Sequence, residues 1–140
     1  PLTPDEKAEF LRLVQAGLSV HVVGDATAPA CGAGDLLVAG SGSGETATVC
    51  AVAEMARRAG AGVAALTRTP HSTLARGADC VLAIPVPTDA LRPGGIASAQ
   101  PLGTLFEQAL FVVCDRVVLD VARLRGVSET DMQARHANLE

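Results

Sequence analysis

Short apolar runs alternate with longer amphipathic stretches along this chain of 140 residues. Four of these runs predict strands, at residues 19–23, 35–39, 62–67 and 80–84. The remaining stretches predict helices at residues 4–17, 45–59 and 104–125, a short helix or turn at 70–76, a Pro/Gly loop at 85–103 and a short helix after Ser128. Strands that alternate with helices are typical of a parallel sheet with helices on both faces. We therefore expect an α/β three-layer sandwich that binds ligands beyond the carboxyl ends of its strands.

A loop of glycines and hydroxyl residues, Gly40–Thr46, joins the second predicted strand to the helix that follows it. A helix N-terminus behind a glycine-rich loop is suited to hold a phosphate, because free backbone N–H groups and the helix dipole point at the loop. The loop is not a P-loop, since no Lys follows its last Gly, and it lacks the G-x-G-x-x-G spacing of dinucleotide sites. The alternative is an ordinary turn with Ser43 as the helix N-cap. The candidate phosphate-binding residues are Ser41, Gly42, Ser43, Gly44 and Thr46.

The amino-acid composition argues against some classes of binding partner. Hydrophobic residues make up 49% of the chain but aromatic residues only 2%, so the core must be built from Ala, Val and Leu. A net charge of −4 without a basic run argues against nucleic acid binding, and there is little aromatic material for stacking bases. Because the phosphate loop contains neither Lys nor Arg, its neutral donors favour a small phosphorylated ligand over a polyphosphate.

The cysteines and the longest apolar stretch indicate the cellular compartment of the protein. The four cysteines form no C-x-x-C pair and stand among small or apolar residues, so we expect reduced, mostly buried thiols rather than disulfides or a metal site. No signal peptide is visible at the N-terminus, and the apolar stretch 105–124 carries five charged residues, which argues against a membrane span. These features predict a cytoplasmic protein.

The predicted helix 104–125 is apolar around most of its circumference. A single sheet cannot cover all of these side chains, and a helix that is apolar all round is buried. We expect another subunit to supply the second cover, which predicts a homo-oligomer. A deeply packed core helix is the alternative.

Five segments together resemble the 6-phospho-3-hexuloisomerase family, within the wider sugar isomerase (SIS) fold. They are residues 18–25, 35–46, 78–85, 100–108 and 135–140. The first three are similar to SIS domains in general, and the last two are more specific to hexuloisomerases. The resemblance runs from about Phe10 to the end, so we expect residues 1–140 to form a single SIS domain. It implies a flavodoxin-like sheet with strand order 2-1-3-4-5 and a dimer or tetramer.

One segment departs from the family pattern. The resemblance implies an additional helix and strand, ending in a Gly-x-Gly-Arg-Ser-Gly loop, where this chain reads Pro1–Glu6. That strand would be the first and central one, and its loss would leave a gap lined by unpaired backbone groups between strands 19–23 and 35–39. The full protein can contain more residues than this chain, a neighbouring chain can supply a strand, or the sheet can be rearranged; we favour the first.

The resemblance implies the reversible conversion of D-arabino-hex-3-ulose 6-phosphate to fructose 6-phosphate, a step of the ribulose monophosphate pathway. Moving the carbonyl from carbon 3 to carbon 2 passes through a cis-enediol and needs a carboxylate base but no metal or redox cofactor. Glu107 is the candidate base: it lies three residues into the predicted helix 104–125, and its apolar neighbours are the surroundings expected of a carboxylate that shuttles a proton. The alternative is a helix-start carboxylate with Thr104 as N-cap.

Two further residues are candidates for handling the substrate. His136, in the polar C-terminal segment, is the candidate acid–base for ring opening or for moving hydroxyl protons, and it could reach the site of a neighbouring subunit. The alternative is an exposed tail histidine. Thr27, in the loop after the first predicted strand, is a weaker candidate for contacting substrate hydroxyls.

A second function is compatible with this pattern. A SIS domain can bind a sugar phosphate as a sensor and catalyse nothing, and loss of the first phosphate loop favours that alternative. Glu107 and His136 discriminate between the two, because a sensor needs neither. Acyl transfer through a loop serine is disfavoured, since no clear triad accompanies it.

Overall fold

The computed structural model describes residues 4–86, 100, 103–136 and 138. Its helices are α1 (Pro4–Gln15), α2 (Ala47–Arg58), α3 (Thr73–Arg76), α4 (Thr104–Leu124) and α5 (Glu129–Ala134). Its strands are β1 (Leu36–Gly40), β2 (Gly62–Thr67) and β3 (Cys80–Ala83). These elements match the predicted ones within a few residues, except for the first predicted strand. Most of the loop predicted at 85–103 lies outside the described residues.

The chain forms two compact units. One, the sheet unit, falls within residues 30–110, and the other, the terminal unit, falls within residues 1–29 and 111–140. The border between them lies in α4. The single-domain prediction for residues 1–140 stays a prediction.

The three strands of the sheet unit run parallel in the order β1-β2-β3. Val38 pairs with Ala64, and Ala64 in turn pairs with Cys80, so these three side chains share one face of the sheet. Consecutive parallel strands joined through helices confirm the predicted α/β class.

The strand predicted at residues 19–23 is absent: the segment is irregular. In the flavodoxin-like order that the resemblance implies, this strand would pair only with the first family strand, and no strand precedes β1 among the described residues. Apolar alternation cannot form a strand by itself, because each backbone N–H and C=O needs a partner on a neighbouring strand.

The core of the sheet unit lies between the sheet and α2. Ala39, Val63 and Ala65 project from one face of the strands against Ala53 and Ala56 of α2. Leu74 of α3 belongs to the same buried cluster. Because five of these six side chains are no larger than Val, the helix packs close to the sheet, as the composition predicted.

The opposite face of the sheet is covered only in part. Leu110 of α4 lies close to Gly40, at the carboxyl end of β1. Leu36 and Val38, in the same strand, remain 63% and 57% exposed. The start of α4 therefore forms the third layer near the carboxyl ends of the strands.

The cysteines are free, as predicted, but they are not mostly buried. Cys31 and Cys80 are exposed, and Cys50 and Cys114 are half-buried. Cys80 lies on the partly covered side of a short edge strand, where small apolar neighbours in sequence do not guarantee burial.

The terminal unit contains α1, most of α4 and α5. Guanidinium groups complete the end of α1: Arg135 donates to the carbonyl of Gln15 at 2.8 Å and Arg125 donates to that of Gly17 at 3.2 Å. Ser128 and Asp131 form a capping box at the start of α5, and the side-chain and backbone hydrogen bonds from Ser128 lower the pKa of Asp131.

Several large apolar side chains of α4 remain exposed in this single chain. They are Phe111, Val112, Val117, Leu119 and Leu124. This agrees with the expectation that the described chain does not cover the whole helix. Among residues 4–86 and 103–136, no helix is both long enough and apolar enough to cross a bilayer.

Enlarging a side chain in the core should separate the sheet from α2. We expect Ala65→Leu to lower the free energy of unfolding by about 1–3 kcal/mol, because Ala65 is fully buried among other small residues. Ala51→Leu, on the exposed side of α2, is the matched control and should change it by less than about 0.5 kcal/mol. Urea unfolding followed by circular dichroism measures both, and an equal effect would contradict this packing.

Candidate active site

The glycine-serine loop lies where the sequence predicts, at the carboxyl end of β1 and before α2. We call residues 41–46 the cradle. Thr46, and not Ser43, is the N-cap of α2, and its side chain makes no capping hydrogen bond. The alternative of an ordinary turn capped by Ser43 is therefore wrong in that detail, because the loop continues three residues beyond Ser43 before the helix begins.

The cradle presents backbone donors that the described part of the chain leaves open. The N–H groups of Gly42, Ser43 and Thr46 have no acceptor among the described residues. All three precede the N-terminus of α2, where the helix dipole favours an anion. This arrangement can bind a phosphate without a cationic side chain in the loop.

The cradle hydroxyls fall into two kinds. Ser41 is 6% exposed, its Oγ accepts the N–H of Gly44 at 3.0 Å, and the same Oγ lies 2.9 Å from Thr46 Oγ1. One proton of this hydroxyl pair serves the bond between them, so one proton remains for another acceptor. Thr46 is the exposed partner, so a Ser41 hydroxyl that donates to Thr46 Oγ1 leaves the Thr46 proton for a ligand. Ser43 is exposed, and its Oγ accepts the N–H of Glu45 at 3.2 Å while keeping its own proton.

Hydrogen bonds join the cradle to the end of β2. The carbonyl of Gly42 accepts the N–H of Arg68 at 3.3 Å and the hydroxyls of Thr67 and Thr69 at 3.3 and 3.4 Å. Thr67 is fully buried, and its Oγ1 also accepts the N–H of Thr69 at 3.1 Å. The end of β2 therefore holds the carbonyl of Gly42, while the N–H of Gly42 stays open to a ligand.

A close approach at Gly44 completes this docking. Gly44 has a φ of +67°, and a Cβ at this position would lie 2.0 Å from Ser72 Oγ. Its carbonyl accepts the N–H of Leu74 at 3.0 Å. Only glycine combines this conformation with this contact.

The carboxylate of the cradle is turned toward α3. Glu45 Oε1 accepts the backbone N–H of Thr73 at 2.8 Å. The backbone and side-chain hydrogen bonds from Thr73, followed by the charge of Arg76, lower the pKa of Glu45. The side chain therefore stays ionised at neutral pH.

The start of α4 packs against the cradle. The side chain of Phe106 lies 3.1 Å from the position that a Cβ on Gly42 would occupy, and Leu110 lies equally close to Gly40. Glu107 follows Phe106 directly and is exposed, so the described residues do not form the apolar surroundings that the sequence predicts for it. Its backbone N–H donates to the carbonyl of Gly103, which also accepts that of Phe106.

The two other candidate residues belong to the terminal unit. His136 is exposed just beyond α5, and its backbone N–H donates to the carbonyl of Gln133 at 3.1 Å. Thr27 is exposed in an irregular segment. The structure thus brings Phe106 at the start of α4 onto the cradle, and the roles of His136 and Thr27 stay predictions.

Thr67 and Ser72, which hold the cradle in place, are not among the residues predicted for the site. The available signal was a run of hydroxyl residues after β2, whose carboxyl end meets the same edge of the sheet as that of β1. No group of three or more His, Cys, Asp or Glu side chains that could hold a metal ion occurs among the described residues.

Comparison with known proteins defines the family. A family model described as the SIS domain matches residues 15–113, so the chain belongs to the SIS domain family. The match includes the sheet, the cradle and the start of α4.

Curated relatives narrow the resemblance further. The chain is similar to the 3-hexulose-6-phosphate isomerase of Mycobacterium gastri, with 47% identity over 93% of this chain and 65% of the relative. It is 37% identical to the protein of the same name from Bacillus subtilis (strain 168), over 96% of this chain and 72% of the relative. The predicted resemblance to the hexuloisomerase family is confirmed, and the chain spans about two thirds of the length of these relatives.

Solved structures share the fold. A Methanococcus jannaschii protein, for which a 3-hexulose-6-phosphate isomerase function was inferred, matches with a TM-score of 0.82 and 26% identity, over 97% of this chain and 72% of that chain. An Escherichia coli protein solved in complex with a sugar phosphate matches with a TM-score of 0.71 and 26% identity, over 95% of this chain and 70% of that chain.

A methyl group at Gly44 should displace the cradle. We expect Gly44→Ala to lower the melting temperature and to weaken binding of inorganic phosphate, because the new Cβ would overlap Ser72 Oγ. Gly34→Ala is the matched control: its φ is +93° and nothing lies within 4 Å, so it should cost only about 1–2 kcal/mol of backbone strain and leave phosphate binding intact. Thermal unfolding with and without phosphate tests this, and equal phosphate binding by the two variants would contradict it.

Proposed function

We propose that the protein is a sugar-phosphate isomerase that interconverts D-arabino-hex-3-ulose 6-phosphate and fructose 6-phosphate. The observation that carries this proposal is the contact of Phe106 with Gly42, because it puts the helix that bears Glu107 against an anion-binding loop. The names of the M. gastri and B. subtilis relatives support this substrate.

In this proposal the cradle binds the phosphate of the sugar. The N–H groups of Gly42, Ser43 and Thr46 and the hydroxyls of Ser43 and Thr46 donate to its oxygens. Gly44 allows the close approach of the loop, and Ser41 donates to Thr46 Oγ1, which leaves the Thr46 proton for the phosphate. Hydrogen bonds to a charged acceptor contribute about 1.5–3 kcal/mol each. The E. coli neighbour solved with a sugar phosphate supports this class of ligand.

The chemical step requires a base beside carbons 2 and 3 of the bound sugar. Glu107 removes the proton from carbon 2 of the hexulose phosphate, the electrons of that C–H bond form the C2=C3 double bond, and the carbonyl oxygen on carbon 3 gains a proton. Returning a proton to carbon 3 while the hydroxyl on carbon 2 loses its proton yields fructose 6-phosphate. Every proton removed is returned, so the reaction consumes no co-reactant.

His136 and Thr27 complete the proposed site. His136 moves protons to and from the sugar hydroxyls or assists ring opening, as an imidazole can do near neutral pH. Thr27 contacts a substrate hydroxyl. We further propose that the protein is cytoplasmic and acts in the ribulose monophosphate pathway, consistent with the hexulose phosphate named for its relatives.

Hydrogen exchange at carbon tests the reaction most directly. Fructose 6-phosphate incubated with the purified protein in deuterated water should gain deuterium at carbon 3, and NMR follows the loss of that proton signal. Glu107→Gln should reduce this exchange at least 100-fold, since it removes the base, a contribution on the order of that expected for general base catalysis.

Controls separate loss of chemistry from loss of binding. Glu129→Gln neutralises another helix-start carboxylate, in α5, and should keep the full exchange rate. Glu107→Gln should still bind inorganic phosphate. Binding without any exchange in the unmodified protein would favour the sensor, and exchange at carbon 1 instead would indicate an aldose–ketose isomerase.

The exposed apolar side of α4 supports a homo-oligomer, a dimer or a tetramer. Val112 and Leu119 are one heptad apart and 66% and 61% exposed, so they share a face of the helix that another copy of this chain can cover.

Charge placed on this face should dissociate the oligomer. We expect Leu119→Glu to lower the molar mass measured by light scattering after size exclusion, because a carboxylate cannot be buried there without a partner. Ala51→Glu, on the exposed side of α2, should leave the mass unchanged. A monomeric unmodified protein would contradict the proposal.

A further inference from the structure

Glu45 places a carboxylate within the proposed anion-binding loop. Glu45 immediately precedes Thr46, whose N–H group is one of the open donors of the cradle. A carboxylate free to move there would repel a phosphate dianion and compete with it for the same donors. In the structure the carboxylate of Glu45 is directed toward the start of α3.

Glu45 and its neighbour contact two consecutive residues at the start of α3. Glu45 Oε1 accepts the N–H of Thr73 at 2.8 Å, and the carbonyl of Gly44 accepts that of Leu74 at 3.0 Å. Arg76 donates to Thr73 Oγ1 at 3.2 Å, which places a positive charge on the same side. The carboxylate thus satisfies the backbone N–H of the first residue of α3, a group that has no partner within its own helix.

These contacts hold the carboxylate in its ionised form. The hydrogen bonds from Thr73 and the charge of Arg76 lower the pKa of Glu45, and each of these interactions draws the charge toward α3. Ser72, the N-cap of α3, is also the residue whose hydroxyl lies against Gly44. The start of α3 therefore contacts both Gly44 and Glu45 in the second half of the cradle.

We propose that Glu45 is a positioning residue: by binding the N-terminus of α3 it fixes the second half of the cradle and keeps its own charge away from the phosphate. This inference rests on the proposed phosphate site and names the group that shapes it. Glu45 touches neither the substrate nor the reacting carbons. Loss of its contact should weaken phosphate binding and leave the chemical step intact.

Two variants remove the contact from opposite sides. Glu45→Ala deletes the acceptor. Thr73→Pro deletes the donor, and proline is well tolerated there because Thr73 is the first residue of α3 and Ser72 before it is extended, with a ψ of 170°. Each should raise the KM for fructose 6-phosphate and the Kd for inorganic phosphate on the order of tenfold, the loss expected for one hydrogen bond to a charged group, with kcat changed less than about twofold.

Two further variants test whether the hydrogen bond between Glu45 and Thr73 is what strengthens phosphate binding. Glu45→Gln keeps an oxygen that accepts from Thr73 and should restore most of the phosphate affinity, which a purely electrostatic or a bulk folding effect would not predict. Thr73→Val keeps the N–H and loses only the hydroxyl, so it should weaken binding less than Thr73→Pro. Glu54→Ala removes another exposed, Arg-paired carboxylate, from α2, and serves as the control for phosphate binding.

The double variant Glu45→Ala/Thr73→Pro should bind phosphate no more weakly than the worse single variant, because both remove the same contact. Unchanged phosphate binding in Glu45→Ala or in Thr73→Pro, or additive losses in the double variant, would overturn the inference. A fall in kcat without a change in KM would also overturn the inference.

Calorimetric titration with inorganic phosphate needs no turnover, so it tests the role of Glu45 even if carbon 3 exchange fails and the isomerase proposal is wrong. Absence of phosphate binding in the unmodified protein would overturn both.

Discussion

Close contacts hold the cradle against the end of β2 and the start of α3, and the geometry of the candidate site follows from them. Gly44 and Ser72 approach so closely that no other residue fits at position 44, and the carbonyl of Gly42 accepts three donors from residues 67–69. The carbonyl of Gly42 and the N–H of Ser43 belong to one planar trans peptide group, so fixing this carbonyl against the end of β2 turns the N–H of Ser43 to the opposite side. A loop of the same sequence without this docking could turn either side of its peptide groups to a ligand.

The parallel sheet makes this docking possible. The carboxyl ends of β1 and β2 meet at one edge because the strands are paired in register, with Gly40 opposite Leu66. Because α2 follows β1 through the cradle, the N-terminus of this helix lies at the same edge, and the small side chains of the core pack α2 against the sheet. On the other face Phe106 packs against Gly42, which carries the start of α4 to the cradle. The proposed anion site and the proposed base thus depend on packing around glycines at 40, 42 and 44.

The elements were predictable from the chain because each has a local signal. Ser128 before a short helix, the small apolar runs of the strands and the glycine-serine loop predicted α5, the three strands of the sheet and the cradle within a few residues. The strand at 19–23 was wrong because a strand needs a neighbour, and no local pattern reports whether one exists. The expected burial of Cys31 and Cys80 failed for the same reason, since burial depends on what lies opposite.

Local patterns in the chain were enough to predict the α/β class, the edge of the sheet expected to bind a phosphate, and the resemblance to the hexuloisomerase family. The folded structure was needed to learn which N–H groups of the cradle have no acceptor among the described residues, that Ser41 and Thr46 share a hydrogen bond, and that Glu45 accepts from Thr73 in α3. The last of these contacts was not predictable because it joins residues that are far apart along the chain. Periodicity and capping act between residues a few positions apart, whereas the contacts of Gly42 with Phe106 and of Glu45 with Thr73 join residues that the fold alone brings together.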